Sequence, residues 1–282
     1  MTLRHADQHL AIHGTYTKGG EGIAIDLQKV DVGSLLALTG LEVVRFAGNA
    51  SGRAIVKPDE HNKPRLSAFL DIPGFRFNDT HHARIRGAFE TDDQTIRLQA
   101  NMTEGTVGQT NVNGYVSLGH KDLDLRIEGE NTPLGFLNHY ISDIFHNIRG
   151  RSTGTCRIFG GFKSIDFEGS QRASASALLP INGVTYHLND AEVEISPGTF
   201  RLNSATLTDS LRGTGRVQGV LNHRHLHDMR YDFAMSGNNM LLYDRPQEDD
   251  LPFYATAYGT GDVLLKGRPG RLDVNLKVRT EP

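Results

Sequence analysis

The chain has 282 residues, and its 30 Lys and Arg residues against 33 Asp and Glu residues give a formal net charge of −3, which leaves no basic footprint for nucleic acid. The single cysteine excludes an internal disulfide framework and a cysteine metal cluster. No apolar run approaches the ~18 residues of a membrane-spanning helix, and the first residues lack the apolar region of a signal peptide.

The first third of the chain predicts strands joined by tight turns. Residues 23–27 alternate between apolar and polar side chains, which is the two-residue period of a strand with one apolar face. A short helix is expected over residues 32–38, and a hairpin is expected between residues 54–56 and 66–70.

The middle of the chain contains the pattern that the rest repeats. Residues 123–127 alternate as a strand does, and Thr132 followed by Pro133 provides the N-cap and the first position of a helix. Apolar side chains at helical spacing extend this predicted helix to Ile148, after which the strand period returns around Cys156.

The pattern recurs at a separation of about 100 residues, which indicates a repeat architecture. Gly48 and Gly52 are spaced as Gly150 and Gly154 are, and residues 238–242 stand where a helix-like segment follows the strand in the other copies. The pattern is interrupted at both ends, so we expect a segment of a longer protein. The predicted copies are residues 1–107, residues 108–212 and, cut short, residues 213–282.

An all-β fold follows from this pattern, because almost every predicted strand carries apolar side chains on one face. Roughly 20 strands about 4.8 Å apart would present an apolar stripe on the order of 100 Å long, which has to be kept from water. The sheet either curls so that this face lines its own interior or packs against a second sheet as a sandwich. The lack of linkers between copies favours a long, curled antiparallel sheet with a short amphipathic helix in each repeat.

Two successions of residues resemble the AsmA-like repeats of the TamB family, the inner-membrane subunit of the translocation and assembly module. The first is residues 131–137 followed by 148–154, and the second, similar to versions from Bacteroidetes, is residues 238–244 followed by 254–261. The resemblance implies a periplasm-spanning, U-shaped sheet, or β-taco, whose hydrophobic groove conducts phospholipid between the inner and outer membranes and supports outer-membrane protein assembly. It also implies a partner barrel of the BamA and TamA type and an inner-membrane anchor, both through regions that are not visible in this chain.

A groove of this kind needs no catalytic group, cofactor or metal, so the chain is expected not to be an enzyme. An acyl chain gains about 0.8 kcal/mol for each methylene removed from water, so apolar walls suffice to bind phospholipid acyl chains. The alternative is that the same residues form the ordinary core of a structural or adhesive β-solenoid that conducts no lipid. The residues predicted to line the groove are Leu123, Leu125, Ile127, Ile165, Phe167, Tyr231, Phe233, Leu272, Val274 and Leu276.

Three polar groupings contain residue types used in metal or catalytic sites, but each also suits an ordinary surface element. His223, His225 and His227 would place three imidazoles on one face of a strand, as in metal sites, but they also suit a polar hairpin tip, which we favour. The histidines at residues 81–82 pose the same question in weaker form. The acidic run at residues 248–250 is expected to be a solvated loop, and no Gly-x-Ser-x-Gly elbow supports a hydrolase.

Overall fold

The computed structural model describes residues 1–5, 7–33, 46–78, 80–92, 94–104, 106–142, 144–211, 213–225, 227–246 and 254–280. In these residues the chain is almost entirely β-strand, with seventeen strands in one sheet and three short strands in a second. The prediction of an all-β protein built on a long antiparallel sheet is confirmed. No helix in this part of the chain is long and apolar enough to cross a membrane. The strands are β1 (Thr2–His5), β2 (Gln8–Thr15), β3 (Gly22–Asp31), β4 (Phe46–Ala47), β5 (Asn49–Pro58), β6 (Pro64–Pro73), β7 (Arg76–Phe77), β8 (Thr80–His81), β9 (Arg84–Asp92), β10 (Thr95–Thr103), β11 (Gln109–Ser117), β12 (Asp122–Pro133), β13 (His146–Gly161), β14 (Ser164–Leu179), β15 (Val184–Ser196), β16 (Thr199–Asp209), β17 (Thr214–Arg224), β18 (His227–Arg245), β19 (Ala255–Arg268) and β20 (Arg271–Thr280).

The chain divides into two compact units. Unit 1 comprises Met1–Thr132 with Arg157–Phe162, and unit 2 comprises Pro133–Cys156 with Lys163–Pro282. In unit 1, antiparallel pairing runs from β1 through β2, β3, β5, β6, β9, β10 and β11 to β12. In unit 2, the same kind of meander runs from β14 to β20. Strands that follow one another in sequence are therefore neighbours in the sheet, as short hairpin connections require.

The predicted helix from Pro133 to Ile148 is wrong. β12 continues to Pro133, a 3-10 helix of only five residues (Gly135–His139) follows, and β13 begins before Ile148. The hydroxyl of Thr132 caps no helix, because it shares a 2.6 Å hydrogen bond with a threonine hydroxyl on β11. The side chain of Asn138 instead ties the turn to β13, since its Oδ1 accepts from the Ile148 N–H at 2.7 Å. An isolated helical turn is costly to nucleate, so these strand contacts prevail.

The helix-like segment predicted at residues 238–242 is also wrong, because β18 runs through it to Arg245. Asn239 has a left-handed φ of 47°. It lies in a bulge of β18 and does not begin a helix. Its N–H donates to the Thr260 hydroxyl on β19 at 2.9 Å. Of the helix predicted at residues 32–38, only residues 32 and 33 belong to the described part of the chain.

The two glycine pairs that suggested a repeat share one unusual backbone conformation. Gly48 and Gly52 have φ angles of 145° and 157°, and Gly150 and Gly154 have φ angles of 143° and 153°. Side chains are strained in this region, and a Cβ on Gly52 or Gly154 would lie 2.0 or 2.2 Å from a carbonyl oxygen of the neighbouring strand. Gly52, Gly150 and Gly154 therefore mark places where two strand backbones approach closely, whereas Gly48 lies against the Ile72 side chain, and the repeat boundaries stay a prediction.

One end of unit 1 carries a small packed core against which the second sheet rests. Phe46 of β4 and Phe77 of β7 pack on it, and the rings of Phe46 and Phe75 are stacked with centroids 5.7 Å apart. The buried members of this core are Val32, Ala50, Ile72 and Phe75.

The sheet of unit 2 curls so that two strands that are not sheet neighbours meet. β15 and β18, which are separated by β16 and β17, are in contact at one end. The N–H of Asp244 donates to the carbonyl of Asn182 at 2.9 Å, and the Tyr186 hydroxyl donates to the carbonyl of Leu241 at 3.0 Å. Burial raises the pKa of Tyr186 to about 12, so this hydroxyl remains a donor. The core enclosed by this curl consists of Ala191, Ala205, Leu207, Val217 and Met240.

Candidate functional site

The inner face of unit 1, defined as the sheet face that carries Leu125 and Ile127, is apolar across eight strands. The strand register places its side chains directly opposite one another in rows, because residues paired across an antiparallel sheet share a face. Neither of the two central rows contains a polar side chain. One row is Leu10, Leu27, Gly52, Leu70, Gly87, Ala100, Val112 and Ile127, and the next is Ile12, Ile25, Ala54, Ala68, Phe89, Leu98, Gly114 and Leu125.

Most large side chains of these rows are only half-buried. Leu98, Leu125 and Ile127 are of this intermediate kind, whereas a covered core position such as Ile72 at the packed end of unit 1 is 5% exposed. The strands of unit 1 make their main contacts with their sheet neighbours. The face is therefore an apolar surface that stays partly exposed.

The opposite, outer face of unit 1 carries the charges. Arg53 and Asp26 stand directly across β3 and β5, with Nε and Oδ1 3.1 Å apart. On β12, Asp124 accepts a charged hydrogen bond from Arg157 at 2.7 Å, and this guanidinium holds the pKa of the Asp124 carboxyl below its usual value. Such exposed pairs add little stability one by one. Their position shows that the sheet keeps polar groups on one face and apolar groups on the other.

Unit 2 has an inner face of the same kind, and five of the predicted residues lie on it. Val274 and Leu276 on β20 are 44% and 56% exposed, while Tyr231 on β18 is buried. The Tyr231 hydroxyl donates to the carbonyl of Arg268 at 3.3 Å. The rows on this face are Phe200, Leu221, Tyr231, Gly267 and Leu272; Leu202, Gly219, Phe233, Leu265 and Val274; and Ala205, Val217, Met235, Val263 and Leu276.

The other predicted groove residues are divided between the units. Leu123, Leu125 and Ile127 belong to β12 in unit 1, and Ile165 and Phe167 belong to β14 in unit 2. The Phe167 ring lies 5.8 Å from the ring of a phenylalanine on β16 that belongs to the inner rows. The use of these residues as a groove stays a prediction. The prediction omitted the inner residues of β2 to β11, although their side chains alternate in the same way.

A buried histidine and carboxylate lie together in unit 1, and no sequence pattern indicates the pair. His82 is 3% exposed, and its Nδ1 is hydrogen-bonded to Oε1 of Glu104, which follows β10. The His82 ring lies 5.9 Å from the ring of Phe75 in the packed core. The sequence marked residues 81–82 as a weak metal candidate, but His82 is instead tied to a carboxylate that is distant in sequence and belongs to no motif.

The three alternating histidines do not lie together on one face of a strand. His223 is buried on β17 against Phe200, with ring centroids 4.9 Å apart, whereas His225 lies in the turn with φ of 52° and His227 begins β18. The hairpin tip that we favoured is confirmed. No group of three potential metal ligands occurs in the described ranges, from which residues 248–250 are missing.

Acidification is expected to weaken unit 2 through His223. Burial lowers the pKa of this imidazole below 6.5, with a smaller lowering from His225 and an opposing effect of Asp166. The unfolded chain therefore binds the proton more tightly, so stability is full above pH ~6.5 and falls as pH drops from there towards the folded-state pKa. Urea unfolding across this range is expected to show a smaller pH slope for His223→Gln than for the unaltered chain. The exposed variant His227→Gln serves as the control, and an equal slope in all three proteins contradicts the prediction.

Cys156 is poorly suited to nucleophilic chemistry. It lies half-buried on β13, and burial raises the pKa of its thiol to about 11, so the thiolate is scarce at neutral pH.

Comparison of the chain with protein-family models, with curated proteins and with solved structures finds no match.

Proposed function

We propose that this chain binds acyl chains of phospholipid on the apolar inner face of its sheet, as a segment of a bridge protein in the cell envelope. The observation that carries the proposal is the inner face of unit 1, where two rows of apolar side chains cross eight strands without a polar group and most of the large ones are only half-buried. Exposed apolar surface of this extent is a liability in water unless it has a ligand or partner.

The energy available from such a face is sufficient for a lipid tail. A chain of about sixteen methylenes that loses half of its contact with water gains roughly 6 kcal/mol, since each buried methylene contributes about 0.8 kcal/mol. This gain needs no directional contact, which suits a surface formed by Leu, Ile, Val and Phe. It also lets a tail slide from one row to the next, since adjacent rows have the same chemistry.

The wider role rests on the resemblance to the TamB family. That resemblance supports a periplasmic location, transport of phospholipid between the inner and outer membranes, assistance to outer-membrane protein assembly and a partner barrel of the BamA and TamA type. The two-faced antiparallel sheet is consistent with this proposal, and no step in it calls for an enzyme, a cofactor or a metal.

The proposal is tested by placing one charge on each face of β20. Leu276→Arg puts a guanidinium on the inner face, whereas Asn275→Arg puts it on the outer face of the same strand. Phospholipid in an extract of the purified protein, measured by mass spectrometry, is expected to fall at least tenfold for Leu276→Arg and to be unchanged for Asn275→Arg. Leu125→Arg on β12 should act as Leu276→Arg does, with Gln99→Arg on the outer face of β10 as its control.

The design separates lipid binding from folding, because both members of each pair carry the same new charge. Far-ultraviolet circular dichroism is expected to report the same strand content for all four variants. Equal lipid content in the inner-face and outer-face variants, or no lipid in the unaltered protein, contradicts the proposed function and favours the structural or adhesive module.

A further inference from the structure

The outer face of unit 2 normally places opposite charges across from one another. Glu194 stands opposite Arg201, and Asp232 stands opposite Lys266, with Oδ2 and Nζ 2.8 Å apart. Directly opposed unlike charges stabilise a pair of strands, and like charges in the same positions destabilise it.

The row nearest the turns departs from this rule. Arg268 pairs with Arg271, and Arg230 comes one position before Tyr231, whose partner is Gly267, so the same register continued by one residue brings Arg230 beside Arg268. Three exposed arginines therefore occupy neighbouring positions on the outer face of β18, β19 and β20.

This arginine row, Arg230, Arg268 and Arg271, is weakly compensated. Arg271 lies 3.7 Å from Asp273, where both side chains are 68% exposed, and no other described residue forms an ion pair with Arg230 or Arg268. The segments 222–232 and 264–275 hold five Lys and Arg residues against three Asp residues. Another like-charged opposition, that of Lys57 and Arg65, differs because Arg65 is paired with a carboxylate. An anion bound at the arginine row would relieve the repulsion.

We propose that the arginine row binds the phosphate of anionic phospholipid headgroups at a bilayer surface. Guanidinium groups match phosphate oxygens in a bidentate fashion, and several in one row can engage neighbouring headgroups. The inner face begins at the same strand ends, since Tyr231 and Leu272 follow Arg230 and Arg271 directly in the chain and point to the other face. A lipid whose phosphate is held at the row therefore has its tails next to the inner face. This inference rests on the proposed function. It adds the class of headgroup that is bound and the end of unit 2 that contacts the bilayer.

The test uses flotation of the full chain with vesicles of phosphatidylglycerol and of phosphatidylcholine at low salt. The triple variant Arg230→Gln, Arg268→Gln, Arg271→Gln is expected to bind phosphatidylglycerol vesicles roughly 100-fold more weakly, because each Lys or Arg near an anionic surface contributes about fivefold. The unaltered chain should bind phosphatidylglycerol vesicles more tightly than phosphatidylcholine vesicles. Its binding to phosphatidylglycerol should weaken as the salt concentration rises.

A matched control removes the same charge elsewhere in unit 2. Arg149, Arg201 and Arg216 are exposed arginines outside the row, and their triple replacement by Gln is expected to change vesicle binding less than threefold. Equal losses in the two triple variants, or no loss in the arginine-row variant, overturn the inference. Tighter binding of the unaltered chain to a single-stranded oligonucleotide than to the phosphatidylglycerol vesicles overturns it as well.

Binding of a fluorescent fatty acid distinguishes this inference from the proposed function. The arginine-row variant is expected to bind the fatty acid as the unaltered chain does, because the inner face is intact. If the unaltered chain binds anionic vesicles through the row but binds no fatty acid, the proposed function fails while the arginine row stands as a headgroup site. If the chain binds fatty acid and the row variant still floats normally, the row is rejected while the inner face stands.

Discussion

Replacement of Asp209 by Ala is expected to lower the free energy of unfolding of unit 2 by about 4 kcal/mol. Asp209 ends β16 and is 5% exposed, and its two oxygens accept three backbone N–H groups. Oδ1 accepts from Leu211 and Gly213 at 2.8 Å each, and Oδ2 accepts from Leu241 at 2.6 Å. The carboxylate thus holds both its own turn and the part of β18 that closes the curl.

The size of the effect follows from what the substitution leaves behind. Two of the three donors, those of Gly213 and Leu241, are buried, and each buried donor without an acceptor costs ~1 to 3 kcal/mol. Asp209→Asn keeps one acceptor oxygen, so we expect about half of the loss. Urea unfolding followed by circular dichroism gives the comparison. The exposed variant Asp262→Ala is the control. A loss of unfolding free energy below about 1 kcal/mol for Asp209→Ala would show that its carboxylate does not hold β18 in the curl.

Gly114→Ala is expected to destabilise unit 1 by at least about 3 kcal/mol. Gly114 lies on β11 with φ of 146°, and a Cβ there would lie 1.9 Å from the carbonyl oxygen of Asp124 on β12. That oxygen is backbone, so no side-chain rotation relieves the clash and the strands must separate. The same position faces Leu125 across the sheet, so the loss also disturbs the inner face.

A second glycine of unit 1 provides the matched control. At Gly119 a Cβ would meet the Gln94 amide oxygen at 2.9 Å, and that oxygen is the far end of a flexible side chain. Gly119→Ala is therefore expected to cost no more than about 1 kcal/mol. Thermal unfolding of the two variants under one set of conditions is the measurement. Similar unfolding midpoints for the two variants would contradict the prediction, because they would show that β11 and β12 can separate at this position at little cost.

The sequence predicted the strands and the side chains that share a face. The alternate apolar residues of 23–27 and 123–127, together with Tyr231 and Phe233, are assigned to apolar faces from a period of two, and the structure places each of these apolar residues on such a face. This works because the pleat of a strand sends successive side chains to opposite sides whatever its neighbour is. The prediction of a helix from Pro133 was wrong because an irregular turn can have the same spacing of apolar residues. The polar groups of this turn form hydrogen bonds with strands.

The amino-acid pattern alone is enough to predict a chain of antiparallel strands with one apolar and one polar face. Three features emerge only when the chain is folded: the hydrogen bond between Asp209 and Leu241, the contact of His82 with Glu104, and the register that aligns three arginines across β18, β19 and β20. The alternation of side chains is a property of neighbouring residues, so it can be read locally. Register and closure depend on hydrogen bonds between residues far apart in the chain, and no local pattern specifies which of those bonds will form.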